Sequence, residues 1–310
     1  MPQLTMARPR AARPRRGFTL IEVLITMTIL AIVGATVTNI LTRQQRFYRD
    51  AAETTVVRRE LRGGATLVPA DLRAVSTVGH DLMEATATSF TVRAAIGSAV
   101  VCNITAGRQE LDLVPLALSN HTLTAWYSAP QQNDTLFIFN EGPETGAEDD
   151  SWVQRWVAAA PTSDAALCPG TPYVAAADAA LPKVRLSVGG GTVPTEVTVG
   201  TVVRITRPMR YSFYQPSGTS DWYLGFQEHG VGAWGDIQPI AGPLAPGGLR
   251  FSYFNPSGVP RTPTTQLVRD SISRIHVAIR ATGRTDALRK RGGAAYQDSL
   301  LFNVGIRNFR

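Results

Sequence analysis

Phe18 to Leu41 reads FTLIEVLITMTILAIVGATVTNIL, 24 residues with a single ionisable side chain, Glu22. At ~1.5 Å per residue a helix of that length spans about 36 Å, enough to cross a hydrocarbon core of ~30 Å. The preceding residues, 1–17, hold five arginines (Arg8, Arg10, Arg13, Arg15, Arg16) and no acid. An apolar run this long behind an arginine cluster reads as a membrane segment rather than a buried core helix.

Three membrane readings compete for these residues. One is a secretory signal peptide with Val33-Gly34-Ala35 as the small-residue cleavage site, and another is a plain uncleaved anchor. The third is a chain cut between Gly17 and Phe18. Glu22 separates them. A carboxylate in lipid costs several kcal/mol at the bilayer centre, on the order of +3, and a signal peptide or plain anchor gains nothing from it. A cut after Gly17 places a new α-ammonium on Phe18, four residues before Glu22. In a low-dielectric setting the two charges attract, and each relieves the other's desolvation.

Arg16-Gly17-Phe18-Thr19-Leu20-Ile21-Glu22-Val23-Leu24 resembles the class III signal of type IV prepilins and type II secretion pseudopilins. The resemblance implies that prepilin peptidase cuts after Gly17 on the cytoplasmic side and N-methylates Phe18. It also makes Glu22 the acid used in assembly with other pilins or pseudopilins. Charge counting does not orient the chain by itself, because Arg43, Arg46, Arg49, Arg58 and Arg59 balance the five leader arginines. The cytoplasmic leader is what the resemblance implies.

The formal charge is +7, and removing the five leader arginines leaves +2 for residues 18–310. That remainder lacks the dense basic surface that phosphate binding requires, so no nucleic-acid partner is expected. Lysines are Lys183 and Lys290 alone. Two cysteines, Cys102 and Cys168, are too few for a cysteine-only zinc site. In an exported domain such a pair favours a disulfide over two buried thiols.

Beyond the apolar run, Val57, Leu61, Ala65, Val68, Leu72 and Val75 step by three or four residues, one face of a helix, and Phe47 and Ala51 begin a similar stripe. Gly63-Gly64 and Pro69 are weak points where that helix can kink or restart, and Gly34 is either a bend in the apolar half or a tolerated small residue. After about residue 77 the period becomes two. Phe90 and Val92, Val184 to Val188, Tyr211 and Phe213, Leu249 to Tyr253, Ile275 to Ile279, and Phe302 to Ile306 alternate as half-buried antiparallel strands do. Leu136–Phe139 is apolar on both faces and reads as a fully buried strand. Pro216-Ser217-Gly218, Pro246-Gly247-Gly248 and Pro256-Ser257-Gly258 read as turns between runs.

The fold class expected is α+β, a long N-terminal helix packed on a mainly antiparallel β domain. Its parts are a leader (1–17), a transmembrane half-helix (18–41), an amphipathic continuation (42–76) and a β-rich domain (77–310). Tyr211–Gln215, Trp222–Phe226, Gln238-Pro239-Ile240-Ala241, Leu249–Phe254, Ile275–Arg280 and Ser299–Asn308 follow an order similar to that of pseudopilin J and PilW-like minor pilins. The strand before Arg307-Asn308 resembles the end of that group. Residues 80–200 carry no such resemblance.

Nothing in the pattern suggests an enzyme. His80, His121, His229 and His276 are scattered, and no nucleophile elbow, zinc-binding helix pair or phosphate loop occurs. Gly189-Gly190-Gly191 reads as a flexible turn. Asn103-Ile104-Thr105 and Asn133-Asp134-Thr135 match the N-glycosylation pattern but read as ordinary polar residues, because the pilin resemblance implies a bacterial chain. The acidic stretch Glu141–Asp150 offers the oxygen ligands Ca²⁺ prefers, but without EF-hand spacing it reads as a solvated loop. No cofactor or metal is expected. The whole points to a minor filament subunit held in the inner membrane, its domain in the periplasm and its place near the filament tip. The competing reading is an anchored or secreted β-rich binding protein with a similar N-terminus.

Overall fold

The structure, a computed structural model, describes residues 17–76, 79–115, 124–144, 146, 148–283 and 296–306. The leader arginines, His121, Lys290 and Arg307-Asn308 lie outside them. The chain divides into two compact units, Met1–Glu53 and Thr54–Arg310.

One helix, α1 (Leu20–Ala74), runs through both units without a restart, Gly63, Gly64 and Pro69 included. In the first unit its apolar side chains are solvent-facing from Leu20 to Leu41, and so is Phe47, where a stripe was expected to begin. This helix is long and apolar enough to cross a membrane. Its threonines suit that role, because each hydroxyl can be satisfied by a carbonyl one turn back. Thr26 donates to Glu22 O at 2.9 Å, Thr36 to Ile32 O at 2.8 Å and Thr38 to Gly34 O at 2.8 Å.

In the second unit Val57, Leu61, Val68 and Leu72 are buried, the stripe expected from their spacing. They enter a core shared with Leu224, Phe251, Val277 and Ile279. Gly64 has a packing role instead of breaking the helix. A Cβ there would stand 3.1 Å from Ile279 Cδ1 and 3.3 Å from Ala241 Cβ, so its absence lets the helix lie close on the strands. The same face carries Asp71, which accepts a hydrogen bond from the Tyr211 hydroxyl.

The strands are β1 (Leu82–Ala85), β2 (Ser89–Ile104), β3 (Glu110–Leu113), β4 (Ala125–Trp126), β5 (Thr135–Asn140), β6 (Ser151–Val157) and β7 (Thr162–Asp164). They continue as β8 (Lys183–Gly189), β9 (Val202–Tyr214), β10 (Trp222–Glu228), β11 (Gln238–Phe254), β12 (Pro260–Arg261), β13 (Arg274–Thr282) and β14 (Gln297–Gly305). A short helix, α2 (Gln266–Asp270), precedes β13. The pairings described are antiparallel, as the period-two runs led one to expect.

Two structures share the long strands β2 and β9. On one side the order β1-β2-β9-β10-β11-β13-β14 makes the sheet that covers the Thr54–Ala74 part of α1. On the other, β2-β3-β8-β6-β5-β9 returns to β2 and closes a barrel. The β2–β9 ladder runs from Ser89↔Ser212 to Val100↔Val202 and slips between Ala95 and Gly97, where the barrel begins. Gly97 is required there, because a Cβ would meet Trp126 Cδ1 at 2.3 Å and Ala125 O at 2.8 Å, both on β4. Inside the barrel Leu111, Leu113, Leu136, Ile138, Leu186 and Ile205 are fully buried and form a second core. At the junction the Arg207 guanidinium, also buried, forks onto Asp134 at 2.8 and 2.9 Å. Apart from β9, the strands of the barrel fall within residues 80–200.

Two expectations need correction. Leu136–Phe139 is not buried on both faces. Leu136 and Ile138 point into the barrel, while Phe137 and Phe139 are half-exposed on its outside. Pro246-Gly247-Gly248 is not a turn between strands. It lies within β11, which keeps its pairing with β13 on both sides and absorbs the extra residues as a slip between Leu244 and Leu249.

Candidate functional site

The site predicted from sequence lies at the head of α1. Gly17, Phe18 and Thr19 precede the first helical turn in non-helical backbone, and Phe18 is 87% exposed. A peptide bond in an exposed, non-helical segment just before a helix is accessible to a peptidase. Gly17 has no heavy atom within 4 Å of where a side chain would begin.

Glu22 has a partner in the uncut chain. Its Oε2 accepts hydrogen bonds from Thr19 N–H and from the Thr19 hydroxyl, both at 3.2 Å, and Glu22 N–H donates to Thr19 Oγ1 at 3.3 Å. This reciprocal arrangement is a capping box, which satisfies donors that the first turn of a helix leaves unpaired. Sequence reasoning that treats Glu22 as a charge in lipid passes over it, although Thr19-x-x-Glu22 is its signature. The Thr19 cap is the carboxylate's local partner here, and a cut at Gly17 would add an amine on Phe18, four residues away in sequence. Its charge also favours the positive end of the helix dipole, worth ~0.3–1 kcal/mol at exposed sites.

Cys102 near the end of β2 and Cys168 after β7 are joined in a disulfide, with Cα atoms 5.6 Å apart. Both are buried with Val100 and Val114. The bridge ties the β7–β8 region to the barrel wall and lies in a different unit from Gly17 and Glu22.

The other candidates do not converge. His80 pairs with Asp270 at 2.9 Å, His229 stands edge-on to Trp234, and His276 lies in β13 opposite Ser252 and Asn303. Within the acidic stretch Asp149 accepts the Glu144 N–H at 2.9 Å. Among the described residues no three His, Cys, Asp or Glu side chains are grouped to hold a metal ion.

A family model for the prokaryotic N-terminal methylation motif matches residues 12–38. It spans Gly17, Phe18 and Glu22 and ends inside the apolar half of α1. No curated protein and no solved structure matches the chain significantly. The motif supports a type IV prepilin-like protein that is a substrate of peptidase processing and assembles with other pilins, and the apolar helix fits the membrane anchor of such a chain.

Proposed function

We propose that this chain is a minor, non-catalytic subunit of a type II secretion or type IV pilus filament, of the pseudopilin J or PilW-like kind. Prepilin peptidase cuts after Gly17 and Phe18 is N-methylated. The apolar half of α1 holds the subunit in the inner membrane with residues 77–310 in the periplasm. Assembly then exchanges lipid contact for packing against the helices of other subunits. A domain enlarged by a whole barrel is easier to house at a filament tip than along a crowded shaft, which supports a tip position.

One observation carries the reading: the methylation motif coincides with an exposed Gly17-Phe18 at the head of α1, whose membrane-length apolar stretch up to Leu41 holds Glu22 as its only acid. The test uses Glu22→Gln, which keeps a capping-box acceptor but removes the charge. Expressed with its partner pilins, E22Q is expected to be cut like the wild type and to enter filaments at a tenth of the wild-type level or less. Incorporation at the wild-type level would show that the carboxylate charge has no part in assembly.

A further inference from the structure

The three arginines that follow the apolar run of α1 have no counter-charge in the fold. Arg43, Arg46 and Arg49 stand two to eight residues beyond Leu41, and no acid occurs from Val23 to Arg49. All three are exposed, and none has a hydrogen bond or ion pair among the described residues. Steps of three place them on one face of the helix about 120° wide. Like charges at that spacing repel one another. Phe47 and Tyr48 lie between them, each 69% exposed, with their rings edge to face and 6.1 Å between centres.

A hydrocarbon core of ~30 Å in a bilayer of ~40–45 Å leaves a headgroup layer of about 5–8 Å on each side. At ~1.5 Å per residue, Arg43 to Arg49 cover about 3–12 Å past Leu41. Arginine stems lie along apolar surface and carry their charge to that layer. Tyr48 suits the same depth, because its ring favours lipid and its hydroxyl favours water. A guanidinium fork takes phosphate oxygens in pairs. A zwitterionic headgroup brings its own ammonium, which repels the arginines, whereas a net anionic headgroup brings none.

We propose that Arg43, Arg46 and Arg49 form a band that binds anionic phospholipid headgroups, with Tyr48 at the same depth. The proposal rests on the reading of α1 as a membrane anchor and adds a lipid preference to it. Headgroups of net negative charge supply the counter-charge that residues 23–49 lack, and they attract arginines held near the membrane surface. Assembly must then replace these headgroups as well as the acyl chains when the subunit leaves the membrane. An acidic protein surface offers the same charge, but it would have to reach the arginines through the headgroup layer that already surrounds them.

The test uses the full-length chain with a bimane label on Gln45→Cys, reconstituted in phosphatidylcholine nanodiscs. Cys102 and Cys168 are joined to each other, so the label is confined to residue 45. Gln45 lies 25 residues into α1 (45 − 20), about 38 Å of helix from its head, so the label does not report lipids drawn by the leader arginines. The probes are phosphatidylglycerol and phosphatidylcholine with equal acyl chains, each bearing a nitroxide quencher near the headgroup. Phosphatidylglycerol is expected to be enriched around the label at least about fivefold, the effect of a single arginine near an anionic surface. Arg43→Gln, Arg46→Gln and Arg49→Gln together are expected to bring the two lipids within about twofold, with quenching by phosphatidylcholine unchanged. Arg59→Gln with Arg62→Gln removes two arginines further along α1 and is expected to keep the enrichment. Should the triple variant fail to insert, R46Q alone is expected to about halve the enrichment or lower it further. Equal quenching by the two lipids with the arginines intact, undiminished enrichment in the band variants, or an equal loss in R59Q/R62Q would each overturn the proposal. So would displacement of phosphatidylglycerol by inorganic phosphate or by a hexaglutamate peptide beyond that caused by chloride at equal ionic strength. No quenching by either lipid would overturn the anchor reading and the proposal with it.

Discussion

Asp71 shows how one side chain couples the helix to the strands. It accepts the Tyr211 hydroxyl, yet burial outweighs that bond and raises its carboxyl above the ordinary value of 3.8. Burial likewise raises Asp81, against the opposing pull of the Ser76 N–H and Arg93. A raised carboxyl means the folded chain holds its proton more tightly than the unfolded chain does. Stability from this source therefore grows as pH falls through the interval just above 3.8, and at neutral pH the buried charge is a cost. Asp71→Asn keeps an acceptor for Tyr211 and removes the charge. Its stability relative to wild type, measured by denaturant unfolding, is expected to be more favourable at pH 7 than at pH 4. A difference that does not change with pH would contradict this account. No sequence pattern marks the Asp71–Tyr211 pair, since the two residues are 140 apart in the chain. Thr19-x-x-Glu22 is the opposite case, a local signature visible in the letters.

The amphipathic stripe of α1 is legible because burial on one helix face imposes its own period, and Val57, Leu61, Val68 and Leu72 obey it. The glycine pair is not, because helix propensity counts both residues as weaknesses and says nothing of what faces them. Gly63 and Gly64 in fact differ. The nearest atom to a Cβ at Gly63 is Ile240 O at 4.0 Å, whereas at Gly64 the side chains of Ile279 and Ala241 are already in contact range. Gly63→Ala is expected to stabilise the domain by ~0.5–1 kcal/mol through helix propensity. Gly64→Val is expected to destabilise it by ~1–3 kcal/mol through overpacking. Chemical denaturation of the two variants checks both signs, and equal effects would mean that the helix does not approach the strands at Gly64. The strands follow the same logic. Alternation reveals half-buried runs, but Phe137 and Phe139 also satisfy an apolar count while facing outward.

At the scale of the whole molecule, the α+β class and the antiparallel pairing are readable from the order and period of the runs. The barrel is not, because its closure depends on β2 meeting β9 across the intervening strands, and no local pattern encodes that return. The disulfide constrains the same region. Its residues are 66 apart, so the loop-entropy relation assigns it about 4 kcal/mol. Reduction is expected to lower unfolding stability by that order, and a loss under ~1 kcal/mol would mean that the barrel holds the β7–β8 region without it. The filament reading itself rests on one physical claim, that an acid in an apolar helix is matched by an amine that proteolysis creates. Mass spectrometry of the mature N-terminus, on protein purified from cells that carry the peptidase, tests it most directly. The account predicts a chain that begins with N-methylated Phe18. A chain still beginning upstream of Gly17, or one beginning at Thr36 after signal-peptidase cleavage, would contradict it.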